Sequence, residues 1–187
     1  MPGAPAARRP VPRPPDPRPL TGEPLALDLL NTRWTQDGAV RDLLADADGP
    51  AVWLAANGLD ERFTADPTTL RRLLDARDAI GAAVDGAGPE PLDAVLEHGR
   101  IRPTLTGEGP GERAEFADGT WGPAWLAARD YLRLLSLAPD RIRGCAHDAC
   151  TLHFFDTSRN GARRWCSMAT CGNRAKASRH HARSKDA

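Results

Sequence analysis

What this chain lacks narrows its function before any motif is considered. No run of apolar residues approaches the ~18 that a membrane-spanning helix needs, so a membrane-spanning helix is excluded. Arg8 and Arg9 are followed by prolines rather than by an apolar stretch, which does not fit a secretory or twin-arginine signal, and a cytoplasmic protein is expected. There is no P-loop, no G-x-G-x-x-G and no H-E-x-x-H, and no catalysis is expected. Asp46, Asp48 and Gly49 resemble part of a calcium-binding loop, but Leu44 and Ala55 occupy its first and last ligand positions. The single histidine of the first 140 residues, His98, is expected at the surface rather than as a general base. Cysteine is absent from the first 144 residues, and no acidic residue falls between Asp156 and Asp186.

The chain has 187 residues, 41% of them hydrophobic and 27% charged, enough for one packed domain and a small appendage. Its formal net charge of zero conceals a division. Residues 1–20 carry four Arg and one Asp, residues 21–140 are acidic, and residues 141–187 hold ten Arg and Lys against three Asp. A basic end on an acidic body suggests a polyanionic partner for that end.

Three segments follow. Residues 1–20 contain eight of the 17 prolines and are expected to be a disordered, solvated tail, since proline fixes φ and lacks the N–H that a ladder needs. Residues 21–140 read as mainly helical with a small β-hairpin, which makes the fold class α+β. Short helices are expected over the LALDLLNT run, from Pro50 to a stop at Gly58, and from Pro91 towards Gly99. Longer helices are expected after the Asp66-Pro67-Thr68 start signal and from Trp121 to Leu137. Strand-like runs at 101–106 and 112–117 flank a GEGPG turn. Residues 141–187 change character and hold all four cysteines.

Cys145 and Cys150 are separated by four residues, as are Cys166 and Cys171, with fifteen residues between the pairs. Each pair can place two thiolates on one side of an ion, and the intervening hairpin brings the pairs together. Four thiolates complete a tetrahedron and leave no open position, so a structural Zn2+ site is expected. An iron–sulfur cluster would also accept four cysteines. Cytosolic disulfides are rare, and the spacing is not the redox C-x-x-C. His147 and His153 are expected beside the ligands or at the surface rather than among them. So small a module buries little core of its own, and metal binding would supply much of its folding free energy. Leu152, Phe154, Phe155 and Trp165 are the apolar residues available to pack round it.

After Cys171 a helix is expected. Lys176, Arg179, His180 and Arg183 share one face at i, i+3, i+4 and i+7, and Arg174, His181 and Lys185 lie on a neighbouring one. Arg159, Arg163 and Arg164 extend the cationic patch, which suits the phosphate backbone of DNA.

The run RRWCSMATCGNRAKASRHHAR at 163–183 resembles the CGNR zinc finger, named for Cys171, Gly172, Asn173 and Arg174. The likeness extends back through GCAHDACTLHFFDTSRNGARRWC and covers about a quarter of the chain. In that family the finger follows an ABATE domain, which LALDLLNT, the helix at 53–59 and LRRLLDARDAI resemble. The resemblance implies a treble-clef-like finger that binds DNA and an N-terminal domain that senses a ligand or partner. It implies a stress-related transcription regulator of bacteria, for which a homodimer is a reasonable form. Apart from the family, Asn173 is expected to bond the backbone of the metal loop. Arg174 is expected either to brace the fold or to reach phosphate. An interaction adaptor with a structural finger, or a small-molecule-binding protein or enzyme acting through the acidic domain, remains as an alternative.

Arg77 sits on the apolar stripe of its helix, three residues after Leu74 and three before Ile80. A buried guanidinium needs acceptors. Asp28 and Asn31, which interrupt another apolar run, are the expected brace. The other reading is a pocket in which Arg77 holds an anionic effector.

Overall fold

The computed structural model describes residues 15–177. Five helices carry the N-terminal region: α1 (Leu25–Leu30), α2 (Gly49–Ala56), α3 (Pro67–Val84), α4 (Glu90–Leu96) and α5 (Gly122–Leu137). Three antiparallel two-stranded ribbons accompany them: β1 (Arg33–Gln36) with β2 (Ala39–Asp42), β3 (Gly99–Thr106) with β4 (Gly109–Phe116), and β5 (Ile142–Gly144) with β6 (His153–Phe155). The fold is α+β, as its sequence pattern indicates.

Local chemistry explains the element ends. The Asp66 carboxylate accepts from the Thr68 and Thr69 amides, and Pro67 follows at the first helical position, where its missing N–H costs nothing. The first amides of α1 find a partner on another element, for Ala26 N–H donates to Asp130 of α5 at 3.1 Å. α2 ends at Ala56, just before Gly58, as expected. The β3–β4 hairpin forms with Thr106 opposite Gly109, so the turn is tighter than the GEGPG cluster suggests. The β1–β2 hairpin is not anticipated by apolar alternation. Its signal is the Asp37-Gly38 pair, with φ of 51° and 77°, the left-handed backbone of a two-residue hairpin turn.

The core lies between α1, α3 and α5. Leu27, Leu29, Trp53, Leu54, Leu73, Ile80 and Leu134 are almost wholly withdrawn from solvent. Leu152 and Phe154 of the C-terminal region belong to the same cluster. The finger region therefore completes its core by docking on the helices rather than standing apart.

The tail expectation needs correction over its last residues. Arg18 is buried, with Nη2 at 2.6 Å from Asp16 and Nη1 at 2.7 Å from Asp28. Burial opposes its charge, but the hydrogen bond to Asp16 and the charge of Asp28 outweigh that, and its pKa is raised. The prolines on either side keep the segment extended, and one buried cation anchors it. Residues 1–14, the rest of that tail, lie outside the described residues.

Asp28 is thus paired with Arg18, and it also accepts from Asn57 Nδ2 and the Gly22 amide. The expected Asp28–Arg77 brace is replaced by another. Arg77 makes a two-pronged contact with Asp42, at 2.7 and 2.8 Å, and donates to Thr32 Oγ1 at 3.0 Å. Asp42 comes from the unanticipated hairpin, which is why the partner was not evident. With its donors engaged internally, Arg77 is a brace and not a free anion site. His98 also departs from expectation. Its half-buried ring stacks on Trp121 with centroids 3.7 Å apart, and Arg72 lies 4.2 Å from that ring's centroid.

Candidate metal centre

The chain reaches the cysteines through β5 and returns along β6. The register pairs Ile142 with Phe155, Arg143 with Phe154 and Gly144 with His153. One step beyond the ribbon, the Cys145 amide donates to the Leu152 carbonyl at 2.9 Å. Cys150 N–H donates to the His147 carbonyl at 2.8 Å, which folds residues 147–150 into a tight turn and places the first two sulfurs together.

Asp156 organises the loop to the second pair. It has no solvent exposure, and both carboxylate oxygens are occupied. Oδ1 accepts from the Ser158 amide and hydroxyl, and Oδ2 from the Arg163 amide. These bonds, the Ser158 hydroxyl foremost, hold its carboxyl below the ordinary aspartate range. Arg141 grips the same turn through the carbonyls of Asp156 and Ser158, at 2.8 and 2.7 Å. The Arg164 carbonyl then receives the Ala146 amide, which lays the second pair of cysteines over the first.

All four sulfurs lie within 4.8 Å of one another. Cys150 and Cys166 are 3.8 Å apart, and Cys166 and Cys171 are 3.6 Å apart. A tetrahedron with Zn–S bonds of about 2.3 Å has edges of about 3.8 Å, so the cage has the size that zinc requires. These separations are far from the ~2.05 Å of a disulfide, and all four cysteines are free. A multi-iron cluster places its own iron and sulfide atoms between its cysteines and needs a wider cage. Zinc is the metal that this donor set fits.

Electrostatics point the same way. Hydrogen bonding from Cys166 brings the Cys150 thiol down to about 5, and the same bond, with burial, pushes Cys166 far up. Burial above all pushes Cys171 up to about 12. Burial and the charge of Cys150 oppose thiolate formation at Cys166 and Cys171. A divalent ion removes that penalty, and the Cys166 amide already donates to Cys145 Sγ at 3.4 Å.

The remaining expected residues divide. Arg163 was expected to face nucleic acid, but it is part of the frame. Its guanidinium donates to the carbonyls of Trp165 and Cys166, meets Glu23 at 3.0 Å and lies 4.1 Å from the Phe154 ring centroid. Asn173 Nδ2 donates to the Ala169 carbonyl at 3.2 Å, bracing the loop between the last two cysteines as expected. His147 and His153 are not among the clustered ligands. Arg159, Arg164, Arg174 and Lys176 are exposed, and none has a carboxylate partner among the described residues. Arg179, His180 and Arg183 lie outside the described residues, as do His181 and Lys185.

Docking on the helical region uses two side chains that sequence reasoning did not assign to it. Asn31 pairs with β6 as another strand would, Nδ2 donating to the His153 carbonyl at 2.9 Å and Oδ1 accepting the His153 amide at 2.8 Å. Glu23 accepts the Phe155 amide with one oxygen and Arg163 with the other. Asn31 was singled out as a polar break in an apolar run, but as a partner for Arg77. Glu23 carries no signal in the sequence beyond its charge. A cavity of about 220 Å³ lies where the regions meet, lined by Pro17, Trp34, Asp37, His147, Cys166 and Arg174 among others.

Two family models match. Residues 23–137 match ABATE, described as "Putative stress-induced transcription regulator", and residues 141–184 match the CGNR zinc finger. No curated protein matches the chain. No helix of the described residues is long and apolar enough to cross a membrane.

Proposed function

The chain belongs to the ABATE family, and from that premise we propose that it is a zinc-dependent, DNA-binding transcription regulator of the cytoplasm without catalysis of its own. The finger contacts DNA, and the helical domain senses a ligand or partner. The observation that carries this reading is the sorting of the finger's cations. Arg141 and Arg163 turn inward to carbonyl oxygens and Glu23, whereas Arg159, Arg164, Arg174 and Lys176 stay exposed. Of the acids between residues 141 and 177, Asp156 is buried, leaving Asp148 as the exposed one. A framed surface with an excess of exposed cations is what a polyphosphate backbone rewards.

The helical domain is joined to that surface by Asn31 and Glu23, so a ligand or partner that shifts α1 or the 15–23 segment also moves β6. An effector at Arg77 finds no support, since that guanidinium is already engaged by Asp42.

Duplex affinity of the zinc-loaded chain across a salt series tests the reading. Each phosphate contact contributes about 0.9 to the slope of log affinity against log salt. Removing both Arg164 and Lys176 to alanine should lower that slope by about 2. Arg163→Ala should lower thermal stability instead. A wild-type affinity that ignores salt would turn the reading towards a protein-binding adaptor.

A further inference from the structure

Beside the metal centre, residues 158–168 enclose an open groove of about 590 Å³, lined by Ser158, Asn160, Arg164, Trp165, Ser167 and Met168 among others. We propose that this groove receives one unpaired nucleobase, so that the finger prefers DNA with a base out of the stack over an intact duplex. The inference rests on the DNA-binding reading above and assigns to it a second subsite.

Four features support it. First, the groove has no carboxylate in its lining. The hollows beside His98, beside Trp34 and along α5 are lined by Glu97 and Glu115, by Asp37 and by Asp130 respectively. A phosphodiester entering the finger's groove meets Arg163 and Arg164 and no carboxylate. Second, its size lies within the usual range for small-molecule sites, about 300–1,000 Å³, which accommodates a nucleotide.

Third, its surfaces are those that bases stack on. The Trp165 ring has the Arg164 guanidinium 5.2 Å from its centroid, and Arg164 is exposed. Aromatic rings and guanidinium planes are the two protein groups that stack bases without regard to sequence. Met168 is 55% exposed in the lining of this cationic groove. A Cβ on Gly172 would fall 2.8 Å from both Met168 Sδ and Cε and 3.4 Å from Trp165 Cδ1, so the glycine makes room for the Met168–Trp165 pair. An apolar side chain on a basic surface is the kind of wedge that separates base steps. Fourth, Asn160 and Ser167 in the lining offer donors and acceptors to a base edge, whereas Ser158 is committed to Asp156.

The test uses the full zinc-loaded chain and three labelled probes of one sequence: the duplex, the duplex with one bulged thymine, and the single strand. The bulged duplex should bind about tenfold more tightly than the intact one, a ratio within what stacking one base supplies. Met168→Ala should shrink that ratio several-fold, and Trp165→Leu should abolish it in protein that still carries its zinc. Lys176→Ala should weaken both probes and leave the ratio in place. Bromouracil at the bulge should cross-link to Trp165 on irradiation. Salt-dependent binding with equal affinity for bulged and intact duplex would overturn the groove and keep the DNA reading. Absence of binding to all three probes would overturn both. If Met168→Ala, folded and zinc-loaded, kept the full ratio and the cross-link mapped elsewhere, the assignment of this groove would be wrong.

Discussion

The helical region buries two arginines and the finger half-buries Arg141 and Arg163, and the two regions satisfy them differently. In the helical region each buried guanidinium meets carboxylates from another part of the chain: Arg18 meets Asp28, and Arg77 meets Asp42. In the finger, Arg141 and Arg163 mainly meet backbone carbonyls, and Glu23, the one close carboxylate, is borrowed from the helical side. The buried cations of the acidic region are matched by its own carboxylates. The finger spends Asp156, Arg141, Arg143 and Arg163 on its frame, needs a metal to hold its cysteines, and leaves Arg159, Arg164, Arg174 and Lys176 to solvent. Where charges are matched internally the surface is structural, and where they are left unmatched on a rigid frame the surface is available to a partner.

The sharpest way to break this contrast is to remove the metal's hold. Cys166→Ser should unfold the finger, because zinc binding supplies on the order of 10 kcal/mol to such small modules. The helical region should survive, measured as retained far-ultraviolet helical signal with loss of zinc. Next in size is Arg18→Ala, which leaves Asp28 buried without its cation. Breaking one partner of a buried pair costs about 3–5 kcal/mol, and denaturant unfolding should show a loss near the lower end, since Asn57 and Gly22 still bond the carboxylate.

Asn31→Ala loosens the join between the regions at a fully buried side chain. It strips the His153 amide and carbonyl of their partners, at about 1–3 kcal/mol for each unsatisfied group. Hydrogen exchange should accelerate in β6 while α3 stays protected. The smallest effect concerns pH. Burial holds His153 below its usual pKa of 6.5, against the opposing charges of Asp85 and Cys150. A depressed folded value means that stability is fully present above pH 6.5 and is lost as pH falls through and below it. His153→Gln should flatten this part of the acid sensitivity, read as a smaller fall in melting temperature between pH 7.5 and 5.5 at fixed zinc.

How much of this was legible depends on the range of the interaction. The Asp66-Pro67 cap, the Gly58 stop, the β3–β4 hairpin and the four-cysteine set are local patterns, and the chain follows them. The β1–β2 hairpin is marked by Asp37-Gly38, but its strands RWTQ and AVRD have little apolar alternation because Trp34 is the one side chain they bury in the core. Missing it hid Asp42, and with it the true partner of Arg77. The roles of Arg18, Glu23 and Arg163 depend on contacts across 10 to 140 residues, for which composition offers only a charge sign. Proline density points to a solvated tail and over residues 15–20 is outweighed by a single arginine facing a buried Asp28. Arg163 and Arg164 are adjacent in sequence, yet one is frame and the other surface.

The central claim is that a zinc-stapled finger shares its core with the helical domain and is held to it through β6. Backbone amide spectra of the full chain, recorded before and after removing the metal with a chelator, test it most directly. The account predicts that signals of residues 142–172 collapse, that Asn31, Glu23 and Leu27 shift with them, and that the interior of α3 stays in place. Finger signals that persist without metal, or a finger that collapses while Asn31 and Glu23 stay unmoved, would contradict it.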